Sequence, residues 1–182
     1  MKQRLRRHIV LIGMMGAGKT AVGTELARRL HVSFTDSDAA IESAAAMSIS
    51  EIFARDGETF FRDREAEVIA RLLERPPGVI STGGGAWMQE RNREAIRDHA
   101  LSVWLNCDLE TLWHRVRMRS TRPLLQTADP KGTLQRLLEE RNPVYATADL
   151  DFPARPGSVE KTTARLIEVL REKEELWLNR SK

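Results

Sequence analysis

The sequence predicts an α/β fold with a mainly parallel sheet, and three observations lead to that prediction. Short apolar runs alternate with amphipathic helical segments along the chain. A glycine-rich loop directly follows the first apolar run. There is no internal repeat, low-complexity tract or linker rich in Gly, Pro or Ser. Because 182 residues suffice for one well-buried domain and not for two ordinary ones, we predict a single domain over residues 1–182.

The first half of the chain contains three predicted strands. Buried apolar runs place them at residues 8–12, 34–35 and 79–81. An amphipathic helix over residues 19–30 follows the first strand. Apolar residues at helical spacing predict two further helices between the second and third strands, at residues 48–54 and 58–73.

The second half adds two predicted strands, at residues 101–105 and 149–152. Leu109, Leu112, Trp113 and Val116 recur at i, i+3, i+4 and i+7, which predicts a helix with one apolar face. Further helices are predicted at residues 134–141 and at residues 159–170. The sheet should therefore have five mostly parallel strands between two helical layers, a three-layer α/β/α arrangement.

Two segments are predicted to lack regular structure. Residues 1–7 are basic and are interpreted as a flexible N-terminus. Residues 117–132 are polar and contain Pro123, Pro130 and Gly132, so we predict no regular element there. A structureless segment of that length in a compact domain is typical of a mobile lid.

The composition excludes several classes of protein. No apolar run approaches the roughly 20 residues of a membrane span, and the run Ile9–Ile12 is too short for a signal peptide. The single Cys107 excludes an internal disulfide and a zinc site built on several thiolates. The net charge of +3 raises nucleic-acid binding, but the basic residues are scattered among 26 acidic ones. We therefore expect a cytoplasmic monomer with neither a nucleic-acid nor a membrane partner.

The glycine-rich loop is a complete phosphate-binding motif. Its residues 13–20, GMMGAGKT, fit G-x-x-x-x-G-K-[ST] between a strand and a helix, as the motif requires. Backbone N–H groups and the helix N-terminus would bind phosphate oxygens, Lys19 would charge-neutralise the β- and γ-phosphates, and Thr20 would ligate Mg²⁺. The predicted nucleotide contacts here are Gly13, Gly16, Ala17, Gly18, Lys19, Thr20 and Ala21.

Two carboxylates follow the second predicted strand. Asp36 and Asp38 would lie at the carboxyl edge of the sheet, where open α/β folds bind ligands. One could support Mg²⁺ through water while the other accepts a proton from a substrate hydroxyl. A turn or a helix N-cap explains the same residues. The third strand ends in Ser81-Thr82 without an acidic residue, so Asp36 is the candidate carboxylate on the metal side.

The remaining candidate binding residues are glycines and arginines. Gly83, Gly84 and Gly85 follow the third strand, which indicates either a sharp turn or close approach of a ligand to the backbone. Arg62 and Arg141 lie on the apolar faces of their helices, where both could bind an anionic acceptor. An ion pair with Glu65 is the structural alternative for Arg62.

These motifs in this order resemble the shikimate kinase family, from about Ile9 to Leu170. The resemblance rests on the glycine-rich loop, Asp36-Ser37-Asp38, Phe60-Phe61-Arg62 with Glu65, the glycine triplet, Arg122-Pro123-Leu124-Leu125 and Arg141-Asn142-Pro143-Val144-Tyr145. It implies a fold like that of nucleoside monophosphate kinases. It also implies transfer of the γ-phosphate of ATP to the 3-hydroxyl of shikimate, a step in chorismate and aromatic amino-acid biosynthesis.

The resemblance also implies roles for individual residues. Asp38 would contact the ring hydroxyls, either as a base or as an acceptor that only orients them. Arg62 and Arg141 would bind the carboxylate, beside Gly83, Gly84 and Gly85. Phe53 and Phe61 would form apolar walls of that pocket. Thr20 would ligate one Mg²⁺ directly, and Asp36 would do so through water. The catalytic residues would be Lys19, Asp38 and Arg122. Arg122 would also contact ATP, as would Arg115 and the loosely matching Arg155.

Two alternatives remain open from the sequence. Another small-metabolite kinase of the gluconate or nucleotide type would share the phosphate loop but would not need two arginines on one carboxylate. A nucleotide switch or basic binding module would turn over slowly and would bind nucleic acid in a salt-dependent way.

Overall fold

One five-stranded parallel sheet forms the centre of the molecule. The computed structural model describes residues 5–118 and 125–178. The strand order is β2-β3-β1-β4-β5, and every neighbouring pair is parallel. The strands are β1 (His8–Ile12), β2 (Phe34–Asp36), β3 (Val79–Ser81), β4 (Ala100–Asn106) and β5 (Leu150–Pro153). The predicted sheet is thus confirmed; β2 differs from its predicted bounds by one residue at one end, and β4 and β5 differ by one residue at each end.

Helices cover both faces of the sheet. They are α1 (Lys19–Leu30), α2 (Ser37–Ala45), α3 (Ile49–Leu73), α4 (Glu90–His99), α5 (Leu109–Val116), α6 (Pro130–Tyr145) and α7 (Val159–Arg171). Alternate residues of a strand face opposite sides. Accordingly, Ile9 and Leu11 pack with residues of α1, α5 and α7, whereas Val10 and Ile12 pack with residues of α3 and α4. The three-layer prediction is confirmed.

Helix α3 changes direction at a glycine. Gly57 has φ 83° and ψ 174°, a non-helical conformation inside the run Ile49–Leu73. Glycine adopts such a positive φ readily because it has no Cβ. The two helices predicted at residues 48–54 and 58–73 are therefore the two halves of α3. Ser48 begins the run with a capping box to Glu51, and Ile41, Ile52 and Phe61 form a small apolar cluster outside the main sheet.

The end of the predicted lid is helical, which corrects the sequence-based boundary of 117–132. Helix α6 begins at Pro130, with Asp129 as N-cap accepting a hydrogen bond of 3.0 Å from the Gly132 backbone N–H. Proline is well tolerated in the first turn of a helix because that turn's N–H groups have no intrahelical acceptor. A Cβ at Gly132 would overlap the Asp129 carboxylate, so this glycine serves the cap.

Two further features differ from the sequence prediction. Helix α4 was not predicted, because Ile96 and Asn92 are its only buried residues and its pattern is almost wholly polar. At the N-terminus, Leu5 is buried and bridges Leu178, and the Arg6 N–H donates to the Trp177 carbonyl. Leu5 and Arg6 therefore contact residues 177–178, and Arg7 donates to the Arg97 carbonyl, in contrast to the flexible segment predicted there. Among the described residues no helix is long and apolar enough to cross a membrane.

Candidate active site

The phosphate loop lies between β1 and α1, at the carboxyl edge of the sheet. Gly13, Gly16 and Gly18 have φ values of 138°, 80° and 89°, a region that favours glycine. The Lys19 ammonium donates to the carbonyls of Gly13 and Met14, at 2.8 and 2.9 Å. These contacts hold the positive charge over the loop at the N-terminus of α1, where an anion is also attracted by the helix dipole.

A cavity of 960 Å³ opens directly over this loop. It is lined by the loop and by Asp36, Asp38, Gly83 and Gly84. The cavity is also lined by Arg115 on α5, by Ala154 and Gly157 between β5 and α7, and by Val159, Glu160 and Thr162 near the start of α7.

Asp36 is a shared hydrogen-bond acceptor at the edge of this cavity. Its Oδ2 accepts from the Thr20 hydroxyl at 2.8 Å and from the Ser81 hydroxyl at 3.0 Å. Its Oδ1 accepts the backbone N–H groups of Asp38 and Ala39, at 2.9 and 3.2 Å, and so caps α2. The N-cap interpretation and the metal interpretation of Asp36 are therefore compatible, since each uses a different oxygen.

The donor set around Thr20 fits Mg²⁺. The Thr20 hydroxyl donates its proton to Asp36 and keeps oxygen lone pairs, and both groups are the hard oxygen ligands that Mg²⁺ prefers. In residues 5–118 and 125–178, no group of three or more His, Cys, Asp or Glu side chains could hold a metal. A magnesium ion here would depend on phosphate oxygens and water for its remaining ligands, which is usual for kinases.

A second cavity, of 600 Å³, adjoins the first. Met15, Asp38, Gly83 and Gly84 line both cavities, so these residues form the junction. The second cavity is lined by residues of α2, α3 and α6 and by the glycine triplet. Phe53 and Phe61 form its apolar wall, with ring centroids 4.7 Å apart.

Asp38 is the ionisable group at the junction. Burial raises the pKa of its carboxyl, and the negative charges of Asp36 and Glu42 act in the same direction. The positive charges of Lys19 and Arg62 oppose this shift. A carboxylate with a raised pKa beside two positive side chains is suited to accept a proton at the point where the cavities meet.

Arg62 is held in place by acidic partners on α3. Its Nη1 donates to Glu65 at 2.8 Å, and its Nη2 lies 3.4 Å from Glu58. Glu65 is 1% exposed; burial raises its pKa, and the charge and hydrogen bond of Arg62 oppose that shift. The structural pair with Glu65 therefore exists, but it occupies only one side of the guanidinium. Within the described chain the buried Nε of Arg62 has no hydrogen-bond partner.

The glycine triplet leaves room for these charged groups. A Cβ at Gly83 would lie 2.6 Å from the Asp38 carboxylate, and a Cβ at Gly85 would overlap the Arg62 guanidinium. The triplet is therefore a site of close approach, with the approaching groups being the protein's own Asp38 and Arg62. The Ala86 N–H also closes a turn to the Gly83 carbonyl, so the turn interpretation holds as well.

We expect Gly85→Ala to damage the second cavity without damaging the first. The added methyl would displace Arg62, which contacts the second cavity and not the phosphate loop. The KM of the acceptor should rise by about tenfold, the cost of one weakened charged hydrogen bond, while the KM of ATP should stay unchanged. Steady-state kinetics with each substrate varied in turn would measure both, and an equal rise in both constants would contradict the expectation.

Comparison with known proteins gives the family that the sequence motifs indicated. A family model described as shikimate kinase matches residues 15–171. The chain belongs to the shikimate kinase family. Within that family it is 58% identical over 167 residues to the shikimate kinase of Cereibacter sphaeroides, covering 92% of this chain and 84% of the relative. It is 64% identical over 146 residues to the enzyme of Ruegeria pomeroyi, covering 80% and 75% of the two chains.

Solved structures support the same fold. The shikimate kinase from Acinetobacter baumannii, determined in complex with shikimate, superposes with a TM-score of 0.88 at 36% identity, covering 92% of this chain and 94% of that one. A gluconokinase from Sinorhizobium meliloti superposes at 0.56 with 21% identity, covering 93% and 98%, and shares only the fold. As a member of the shikimate kinase family, the chain is an ATP-using kinase.

The structure brings most of the predicted site residues of this family together. The first cavity contains Gly16, Ala17, Gly18, Lys19, Thr20, Ala21, Asp36 and Arg115. The second contains Phe53, Phe61, Arg62, Gly85 and Arg141, and the junction contains Asp38, Gly83 and Gly84. Arg115 donates to the carbonyls of Gly16 and Ala17, at 3.1 and 3.2 Å, which ties α5 to the phosphate loop.

Three predicted residues stand apart. Gly13 lines neither cavity, although its carbonyl accepts from Lys19. Arg155 is exposed and lines neither cavity, while its neighbours Ala154 and Gly157 line the first. Arg122 lies outside the described residues, as does most of the central part of the predicted lid.

Sequence reasoning missed several residues that line the cavities or bond to the residues that line them. Ser81 is the second hydroxyl donor to Asp36, and its only signal was its position at the end of β3. Glu42, Ile49, Ser50 and Glu58 line the second cavity from α2 and α3. They carry no motif of their own, and only the packing of α2 against α3 places them there.

Proposed function

We propose that this chain transfers the γ-phosphate of ATP to the 3-hydroxyl of shikimate, giving shikimate 3-phosphate and ADP. The observation that carries the proposal is the second cavity. It joins the nucleotide cavity at Asp38 and contains two arginines, Arg62 from α3 and Arg141 from α6, which both approach the glycine triplet. A small acceptor with hydroxyls at one end and a carboxylate at the other matches that distribution of charge.

The carboxylate would bind to the side of Arg62 that Glu65 does not occupy. Nη2 has only the long contact to Glu58 within the described chain, so this donor remains for a charge-assisted hydrogen bond to the carboxylate. Arg141 would contribute a second positive charge from α6. The rings of Phe53 and Phe61 would pack against the acceptor's apolar ring face.

Asp38 would accept the proton of the attacking hydroxyl, because it is the ionisable residue at the junction of the two cavities. Lys19 and the loop's N–H groups would hold the phosphates and neutralise charge that develops during in-line transfer. Thr20 and Asp36 would hold Mg²⁺, which, when bound, neutralises the phosphate oxygens. The sequence adds Arg122 as a further ATP contact, and that role stays a prediction.

The proposal is tested by measuring ADP release with ATP, Mg²⁺ and shikimate, beside quinate, gluconate, nucleoside monophosphates and no acceptor. Turnover selective for shikimate supports the proposal. Turnover selective for gluconate or a nucleotide would replace the acceptor while leaving the phosphate site intact. ATP binding by folded protein without acceptor-dependent turnover would favour a nucleotide switch. The proposal includes a monomer acting in the cytoplasm, where ATP is available, and size-exclusion chromatography would check the monomer.

Arg141→Ala is expected to raise the KM of shikimate by about 30-fold, with a smaller change in kcat. The variant removes one charged hydrogen bond to the carboxylate, worth about 2 kcal/mol, and that bond is present in both ground and transition states. Steady-state kinetics would measure the split. Arg136→Ala is the matched control, since Arg136 lies on the same helix, lines neither cavity and bonds to Thr133. An unchanged KM in Arg141→Ala would remove Arg141 from the carboxylate site.

A further inference from the structure

Tyr145, the last residue of α6, lies behind the second cavity without lining it. It connects α6 to the glycine triplet. Its side chain is fully buried, and its hydroxyl donates a short hydrogen bond to the carbonyl of Gly84. Its ring stacks on Trp104 of β4, with centroids 5.9 Å apart and an interplanar angle of 26°. The hydroxyl therefore reaches the middle of the glycine triplet from the core side.

The same hydroxyl also lies beside Arg141, one turn earlier on α6. Burial raises the pKa of the Tyr145 phenol, and the positive charge of Arg141 opposes that shift. A Cβ at Gly84 would lie 3.4 Å from Arg141 Nη1, so the arginine also packs directly against the triplet. Arg141, Tyr145 and Gly84 thus form one contiguous group.

The position of Tyr145 is fixed independently of any ligand. Trp87 donates from its indole Nε1 to the Val144 carbonyl at 3.0 Å and to the Thr147 hydroxyl at 3.3 Å. Trp87 belongs to the short 3₁₀ turn Ala86–Met88, which directly follows the triplet. The end of α6 and the chain after the triplet are therefore joined on the side away from the cavity.

We propose that Tyr145 is a positioning residue for the acceptor, an inference that rests on the function proposed above. By holding the Gly84 carbonyl toward the core, its hydroxyl sets the plane of the Gly84–Gly85 peptide. In a trans peptide the N–H points opposite to the C=O, so the Gly85 N–H is directed toward the cavity. The hydroxyl also lies beside the positive charge of Arg141, whose Nη1 packs against Gly84, and this neighbour favours one direction of the guanidinium.

The test is Tyr145→Phe, which keeps the ring stacked on Trp104 and removes only the hydroxyl. The KM of shikimate should rise by about tenfold, the effect of one lost hydrogen bond to a charged group. The KM of ATP should change less than twofold and kcat less than threefold. Thr147→Ala is the matched control, because it loosens the same end of α6 without touching the triplet or Arg141.

A second readout does not depend on activity. In ¹⁵N-labelled protein without substrates, the Gly85 amide signal should move more in Tyr145→Phe than in Thr147→Ala, because an amide responds to the hydrogen bond on the carbonyl of its own peptide. A tenfold shikimate effect together with that shift supports the proposal.

Three results would overturn the positioning role. They are an unchanged shikimate KM in Tyr145→Phe, equal effects on shikimate and ATP, and an equal KM effect in Thr147→Ala. Wild-type protein that fails to phosphorylate shikimate would instead overturn the proposed function, and the Gly85 shift would then still show whether Tyr145 orients the peptide.

Discussion

Lys19→Ala should lower kcat by about 1,000-fold, with a much smaller effect on the KM of shikimate. The Lys19 ammonium stands over the phosphate loop, held by the carbonyls of Gly13 and Met14 at 2.8 and 2.9 Å. A preorganised charge aimed at a transferring phosphoryl group contributes more to the transition state than to the ground state, and removal of one such group typically costs 10²–10³ in rate. Steady-state kinetics, with ATP binding measured separately, would give both numbers.

A control for Lys19→Ala is Lys173→Ala, which removes a lysine that lines neither cavity. Its kinetic constants should equal those of the wild type. Thermal unfolding of the Lys19 variant should remain cooperative, because the loop's shape depends on the positive φ angles of Gly13, Gly16 and Gly18. If kcat were kept and only the ATP KM rose, Lys19 would contribute binding alone, and the transition-state role would be wrong.

The sequence was sufficient for the sheet and the phosphate loop because both depend on local signals. Buried runs such as His8–Ile12 have few alternatives to a central strand. The G-x-x-x-x-G-K-[ST] spacing fixes its own backbone geometry. Helix α4 gave no comparable signal, because one buried isoleucine in ten mostly polar residues produces little periodicity. The helix is placed by what surrounds it, including the buried Asn92 amide that donates to the Ala86 carbonyl at 3.0 Å.

The second cavity, where the acceptor would bind, likewise depends on contacts that local sequence does not reveal. Arg62 and Arg141 could be selected because arginine on an apolar helix face is unusual. The sequence could not show that Glu65 takes one side of Arg62 and leaves the other. Nor could it show that Gly85 is small to make room for Arg62, because residues 62 and 85 approach each other only through the tertiary fold. Pro130 and Gly132 led to the wrong prediction that α6 begins no earlier than residue 134. Both residues break helices in general, but both are favourable in a first turn beside an Asp129 cap.

Asp38→Asn is the second variant with a large expected effect, a fall in kcat of about 100-fold. General-base assistance typically contributes 10²–10⁴, and the lower end applies because phosphoryl transfer passes through a loose transition state that needs little nucleophile activation. An asparagine keeps the size of the side chain and loses the proton acceptor. Asp151→Asn is the matched control, since Asp151 lines neither cavity and only accepts from the Asn106 amide at 3.1 Å.

The pH dependence of kcat/KM separates a base from a residue that only orients the hydroxyl. Burial and the charge of Asp36 raise the pKa of Asp38 above its ordinary value. Because the base must be ionised, activity should be full above that raised pKa and should fall as the pH drops through it. The acid limb of the profile should therefore lie at higher pH than an ordinary aspartate would give.

Glu42→Gln tests whether the acid limb of the kcat/KM profile reports the ionisation of Asp38. The negative charge of Glu42 contributes to the raised pKa of Asp38, whereas the amide oxygen of glutamine can still accept the Ile49 N–H, now bonded to Glu42 at 3.0 Å. Removing the charge should lower the pKa of Asp38 and move the acid limb to lower pH. A limb that stays in place would belong to the nucleotide or to another group, and Asp38 would then serve to orient the hydroxyl rather than to remove its proton.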